Sequence, residues 1–182
     1  MSHTDAAILI LPARCTLRGR TTGYPMERTA QFSTRTPSEA DTVSLGHAIG
    51  ERIEGGLCIA LVGPLGAGKT TMVRGLCRGL GVDDTVISPT FILYEEFEGR
   101  QRVVHVDLYR LDHEKEIEEL GVFDLVGGDS VILVEWGDRS ETLMAHADAV
   151  IHITHETGSE RTVTITCTRE AEQVLRGATR WS

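Results

Sequence analysis

The chain has 182 residues, 41% of them hydrophobic and 25% charged, and its 18 Lys and Arg against 27 Asp and Glu give a net charge of −9. Those values fit one ordinary globular domain with a substantial core, and no apolar run approaches the length of a membrane span. The acidic balance argues against a protein that grips RNA or DNA across a broad basic face, and it is compatible with a protein partner.

Residues 1–25 differ from the rest. Ala6–Leu11 is a short apolar segment followed, not preceded, by Arg14, Arg18 and Arg20, the wrong order for a secretory signal. Gly19, Gly23 and Pro25 then break any regular pattern, so this stretch reads as a disordered extension and Met26 as the start of the domain. Thr29 to Thr34 is a weak first strand. Ser38, with Asp41 three residues on, is an N-cap for an amphipathic helix carrying Val43, Leu45, Ala48, Ile49 and Ile53, which Gly55-Gly56 ends. Leu57 to Val62 is an apolar run of strand length.

Next comes Gly63-Pro64-Leu65-Gly66-Ala67-Gly68-Lys69-Thr70, which fits G-x-x-x-x-G-K-[ST], the phosphate-binding loop of nucleotide triphosphatases. Small residues let the loop wrap a phosphate with its amides turned inward. Lys69 supplies a point charge for the β/γ-phosphates, the Thr70 hydroxyl can ligate Mg²⁺, and the following helix aims its positive end at the same anion. That helix is expected from Lys69 to Leu80. The residues expected to contact ATP are Gly63, Leu65, Gly66, Ala67, Gly68, Lys69, Thr70 and Thr71.

Ser88-Pro89-Thr90-Phe91 opens an extended segment, because the residue before proline is pushed away from helix. Thr90 is placed where switch-like segments sense a γ-phosphate; the plainer reading is a turn residue bonding its own backbone. Phe91–Phe97 and Val103–Leu108 read as strands joined by a turn at Gly99-Arg100, and Glu116–Val126 as a helix. His105, Asp107 and Tyr109 alternate onto one face of their strand, either the solvated face of an edge strand or the wall of an active site. Asp107 could orient an attacking water or hold the metal shell. Val131–Val134 ends in Glu135, the form of a Walker B strand, whose acid can reach Mg²⁺ directly or through water. Trp136 either borders the nucleotide or packs in the core. Ala149–Thr154 and Arg161–Thr168 form a final hairpin around Gly158, and residues 171–182 are read as a C-terminal tail.

The four cysteines, Cys15, Cys58, Cys77 and Cys167, form no C-x-x-C pair, the pattern of structural thiols in a reducing cytoplasm. Together the elements predict an α/β domain over residues 26–170, a P-loop NTPase-type sheet of mixed parallel and antiparallel strands with flanking helices.

In order and spacing, Gly63–Thr70, Ser88–Phe91, His105-Val106-Asp107-Leu108-Tyr109-Arg110 and Val134-Glu135-Trp136 resemble the TsaE (YjeE) family, over about residues 29 to 168. Ile117–Gly121 is similar to that family's acidic helix segment. The resemblance implies a small bacterial ATPase required to form N6-threonylcarbamoyladenosine in tRNA, slow by itself and working with the transferase subunit TsaD and its paralogue TsaB. The resemblance further implies a subunit that does not itself transfer the threonylcarbamoyl group and whose ATP cycle resets the transferase between turnovers. By the same resemblance Thr70 and Glu135 hold Mg²⁺, Asp107 and Lys69 serve hydrolysis, and Glu39 contacts nucleotide. Direct contact with the tRNA is left open. This chain departs from the family in having Pro64 where Asp is common, which removes one backbone donor, and in its N-terminal extension. Two other readings follow from the loop alone: a small-molecule kinase, although no Arg-rich lid is evident between Gly81 and Ser130, and a nucleotide-dependent binding module with negligible turnover.

Overall fold

The computed structural model describes residues 27–178 apart from 88, 90–92, 123–127 and 157. The expected extension over residues 1–25 and the switch candidate Thr90 lie outside the described residues.

Seven strands form one sheet: β1 (Ala30–Thr36), β2 (Cys58–Val62), β3 (Tyr94–Glu98), β4 (Arg102–Asp107), β5 (Val131–Glu135), β6 (Ala149–His155) and β7 (Arg161–Cys167). Their spatial order is β1-β7-β6-β2-β5-β4-β3. The central four, β6-β2-β5-β4, run parallel, and β7, β1 and β3 add antiparallel at the two sides. This is the mixed, helix-flanked P-loop sheet that the sequence predicts. Strand β4 is internal, so the edge-strand alternative for His105 and Asp107 does not hold: both side chains are buried.

The central strands are apolar on both faces because both are covered. On one face Ile59, Leu61, Leu133 and Ile151 meet Ile49, Met72 and Leu76 of α1 (Glu39–Gly50) and α2 (Lys69–Gly79). On the other, Ala60, Val104, Val106 and Val134 meet Ile117 of α3 (Glu114–Glu119) and Leu143 of α4 (Glu141–His146). The described part of the helix expected over 116–126 is thus α3, and residues 123–127 lie outside the description.

Helix α1 starts where Ser38 predicts: its Oγ accepts from the Asp41 amide at 3.2 Å. It ends at Gly50 rather than at Gly55-Gly56. Helices α1 and α2 touch backbone to backbone along glycines four residues apart on each. A β-carbon at Gly75 would lie 2.3 Å from the Val43 carbonyl oxygen, and one at Gly50 would lie 2.3 Å from that of Leu76. One guanidinium in the β3–β4 turn closes the far end of the pair: Arg100 donates to Gly79 O at 2.7 Å and to Gly50 O at 3.0 Å.

The segment expected as a tail from residue 171 instead carries most of α5 (Arg169–Arg176). Thr168 caps it through the Ala171 amide at 3.3 Å, and Ala171 and Leu175 enter the core beside Phe32. Full burial of a leucine is worth about 1.5–3 kcal/mol, which supports a helix too short to persist alone.

Candidate functional site

The phosphate loop joins β2 to α2. Its first glycine, Gly63, has φ +146°, and a β-carbon there would lie 2.2 Å from the Ile153 carbonyl oxygen of β6. Gly68, at φ +107°, begins α2 with no side-chain cap. The loop therefore opens a helix N-terminus with its first-turn amides uncommitted to a side chain, a ready anion site.

Lys69 is buried, 4% exposed. Its Nζ donates to Gly63 O at 2.6 Å and Pro64 O at 3.0 Å, and lies 3.6 Å over the Trp136 ring. Burial pushes its pKa below the ordinary 10.5, and Glu135, Asp138 and Asp107 pull it part of the way back. The loop thus holds a partly desolvated cation facing three carboxylates.

The acids come from the carboxyl ends of two neighbouring parallel strands, in the register Asp107↔Glu135. Thr70 Oγ1 donates to Glu135 Oε2 at 2.9 Å. The other carboxylate oxygen, Oε1, lies 3.0 Å from His105 Nε2 deep in the sheet. Among the described residues the buried His105 Nδ1 has no hydrogen-bond partner, and because Nε2 faces a carboxylate oxygen, which accepts, His105 is the donor. Asp107 Oδ1 accepts from the Tyr109 amide at 2.9 Å.

Lys69, Thr70, Asp107 and Glu135 line a pocket of about 350 Å³, together with Leu65, Tyr109 and Trp136. Trp136 holds a left-handed backbone at φ +59°, a conformation a bulky residue adopts only when its surroundings impose it. Its ring packs 5.0 Å from that of Tyr109 and also against the core around Val134, so Trp136 both borders the pocket and packs in the core.

The structure brings Lys69, Thr70, Asp107 and Glu135 together. Leu65, Gly66, Ala67, Gly68 and Thr71 line the same pocket, and Gly63 contributes its carbonyl to Lys69. Glu39 stands behind Thr71, whose hydroxyl donates to Glu39 Oε1 at 3.3 Å. A Mg²⁺ ion suits the donor set. One hydroxyl and one carboxylate, both hard oxygens, are too few for a protein cage but suit a metal that keeps waters and shares phosphate oxygens.

Sequence reasoning missed Asp138, His105 as the donor to Glu135, and two residues outside any motif, His155 and Arg161. His155 Nε2 lies 2.7 Å from Gly66 O, and Arg161 Nε donates to Ala67 O at 3.0 Å. Only the topology predicts these contacts: β6 pairs with β2 in the register Val62↔His152, so its last residues overrun the loop.

Comparison with known proteins agrees with this geometry. Residues 36–163 match the family described as "Threonylcarbamoyl adenosine biosynthesis protein TsaE". The "tRNA threonylcarbamoyladenosine biosynthesis protein TsaE" of Treponema pallidum (strain Nichols) is 34% identical over 128 residues, 70% of this chain and 95% of that protein. The protein of the same name from Bacillus subtilis (strain 168) is 33% identical over 146 residues, 80% and 91% of the two chains. The crystal structure of Bacillus subtilis YdiB superposes with a TM-score of 0.70 at 28% identity, covering 82% of this chain and 94% of that one. With the loop, the paired acids and the strand order all present in a chain matched over most of its length, this protein belongs to the TsaE family.

Proposed function

We propose that this chain binds MgATP in the loop pocket and hydrolyses it slowly, as the ATPase subunit of a cytoplasmic assembly with TsaD and TsaB that forms N6-threonylcarbamoyladenosine in tRNA. In this reading hydrolysis resets the transferase between turnovers. The observation that carries the proposal is the 2.9 Å bond between Thr70 Oγ1 and Glu135 Oε2 beside the buried Lys69 ammonium. A hydroxyl and an acid already share the point where a phosphate-bound metal would sit.

The loop amides and Lys69 would hold the β- and γ-phosphates, and Thr70 and Glu135 would hold Mg²⁺, which when bound neutralises phosphate charge in transfer. Asp107, one strand over from Glu135, would orient the attacking water. His105 fixes Glu135 from behind, so the carboxylate presents one oxygen to the pocket. Tyr109 and Trp136 narrow the approach of bulk solvent.

The test is reconstitution with the transferase pair, a supplied activated threonylcarbamoyl donor and unmodified tRNA, scored for successive rounds of modification. Wild type should sustain many rounds with ATP and about one with a non-hydrolysable analogue, and Glu135→Ala or Asp107→Ala should also stop near the first. Normal repeated turnover by both variants would refute the role of hydrolysis, and stoichiometric phosphoryl transfer to a metabolite would point to a kinase instead.

A further inference from the structure

We infer that Arg161 and His155, on the β6–β7 hairpin, are positioning residues that aim the phosphate loop at its anion. The inference rests on the nucleotide reading above. In a trans peptide the carbonyl oxygen and the following N–H point to opposite sides. Arg161 Nε holds Ala67 O, so the Gly68 N–H of the same peptide plane is turned away from the hairpin, on the wall of the pocket that Gly68 lines. A cationic donor on the carbonyl also polarises that peptide and strengthens its N–H as a donor.

His155 holds Gly66 O, and the next amide, Ala67 N, closes the loop turn onto Pro64 O at 3.1 Å. The hairpin is itself anchored: Arg161 Nη1 donates to Ser159 O at 2.8 Å, and Ser159 Oγ donates to Pro37 O at 2.9 Å, just before α1. The guanidinium also lies against Gly68, with Nε 2.8 Å from where a β-carbon would stand. The Gly66 and Ala67 carbonyls of the loop thus take their orientation from residues 89 and 94 positions away.

The experiment measures ATP, ADP and AMP affinity by calorimetry for wild type, Arg161→Ala, Arg161→Lys and His155→Ala. The Gly68 amide is followed by NMR in the same proteins without nucleotide. Loss of one charge-assisted bond predicts about tenfold weaker ATP and ADP binding for Arg161→Ala and about threefold for His155→Ala. AMP should change least, and Arg161→Lys should recover part of the loss. The Gly68 nitrogen resonance should move when Arg161 is replaced, which a role in hairpin stability alone would not produce. Should Arg161→Ala fail to fold, Arg161→Lys and His155→Ala carry the same comparison. Wild type that binds ATP while these variants bind it equally well, with the Gly68 resonance unmoved, overturns the inference alone. Wild type that binds neither ATP nor ADP overturns the nucleotide reading and the inference with it.

Discussion

Replacing Lys69 by methionine separates charge from packing. Methionine keeps an unbranched stem over the Trp136 ring and removes the ammonium that now donates to Gly63 O and Pro64 O. Gly63 is half-buried and Pro64 exposed, so water can take the place of the lysine and the loop should survive. In the complex the loss is one charge-assisted bond, about 1.5–3 kcal/mol, or about 10- to 150-fold in ATP affinity. The upper end applies because Glu135 and Asp107 would then face the triphosphate without their nearest cation. AMP, which does not reach the lysine, should lose little.

Stability should move the other way. Burial depresses the Lys69 pKa, so between that lowered value and 10.5 the unfolded chain carries a proton the folded chain has released. Wild-type stability therefore rises with pH through that window relative to Lys69→Met, and at neutral pH the variant should be at least as stable. Calorimetry with ATP and AMP, and urea unfolding without nucleotide or Mg²⁺ at pH 7 and pH 10, provide the comparison. Unchanged ATP affinity would refute the phosphate role, and a loss of several kcal/mol at pH 7 would refute the claim that the lysine is a ligand held at a cost.

Thr70→Ala removes the hydroxyl on Glu135 and should raise the Mg²⁺ concentration for half-maximal ATPase activity by about tenfold; superimposable Mg²⁺ titrations of variant and wild type would contradict the assignment. Cys58, Cys77 and Cys167 are buried cysteines and should resist a thiol reagent at pH 8 until the chain is denatured. Burial pushes Cys77 up to about 12, with Glu95 adding to it, and Cys167 up to about 11. A thiol that keeps its proton in the fold contributes stability that is lost as pH rises past 9.0, so Cys77→Ala should flatten the alkaline decline in unfolding free energy; an identical decline would show that this thiol does not titrate on unfolding.

The loop was legible because its function depends on local backbone chemistry: Gly63, Gly68 and Lys69 each answer a need of the turn itself. The apolar runs of β2 and β5 were legible for the related reason that a strand covered on both faces leaves no polar positions. What pairs with what was not legible. Nothing near Asp107 says that it stands beside Glu135, because that is set by the β4–β5 register. His155 and Arg161 read only as strand-end residues until β6 is laid against β2. Helices α4 and α5 were missed although Ser140 and Thr168 are sound caps, because six- and eight-residue helices show too little periodicity to be read. The glycines of α1 and α2 form a contact surface that shows only once the two helices are packed together.

That contact surface has a mechanical consequence. Where the glycines of α1 and α2 meet, backbone lies directly against backbone, so there is no rotamer to compress at that contact. A thrust on the phosphate-bearing end of α2 must carry α1 with it. Beyond their far ends stands a single guanidinium, Arg100, bonded to the carbonyls of both Gly79 and Gly50. Arg100 thus ties both helices to the β3–β4 turn, at the opposite end of the pair from the pocket.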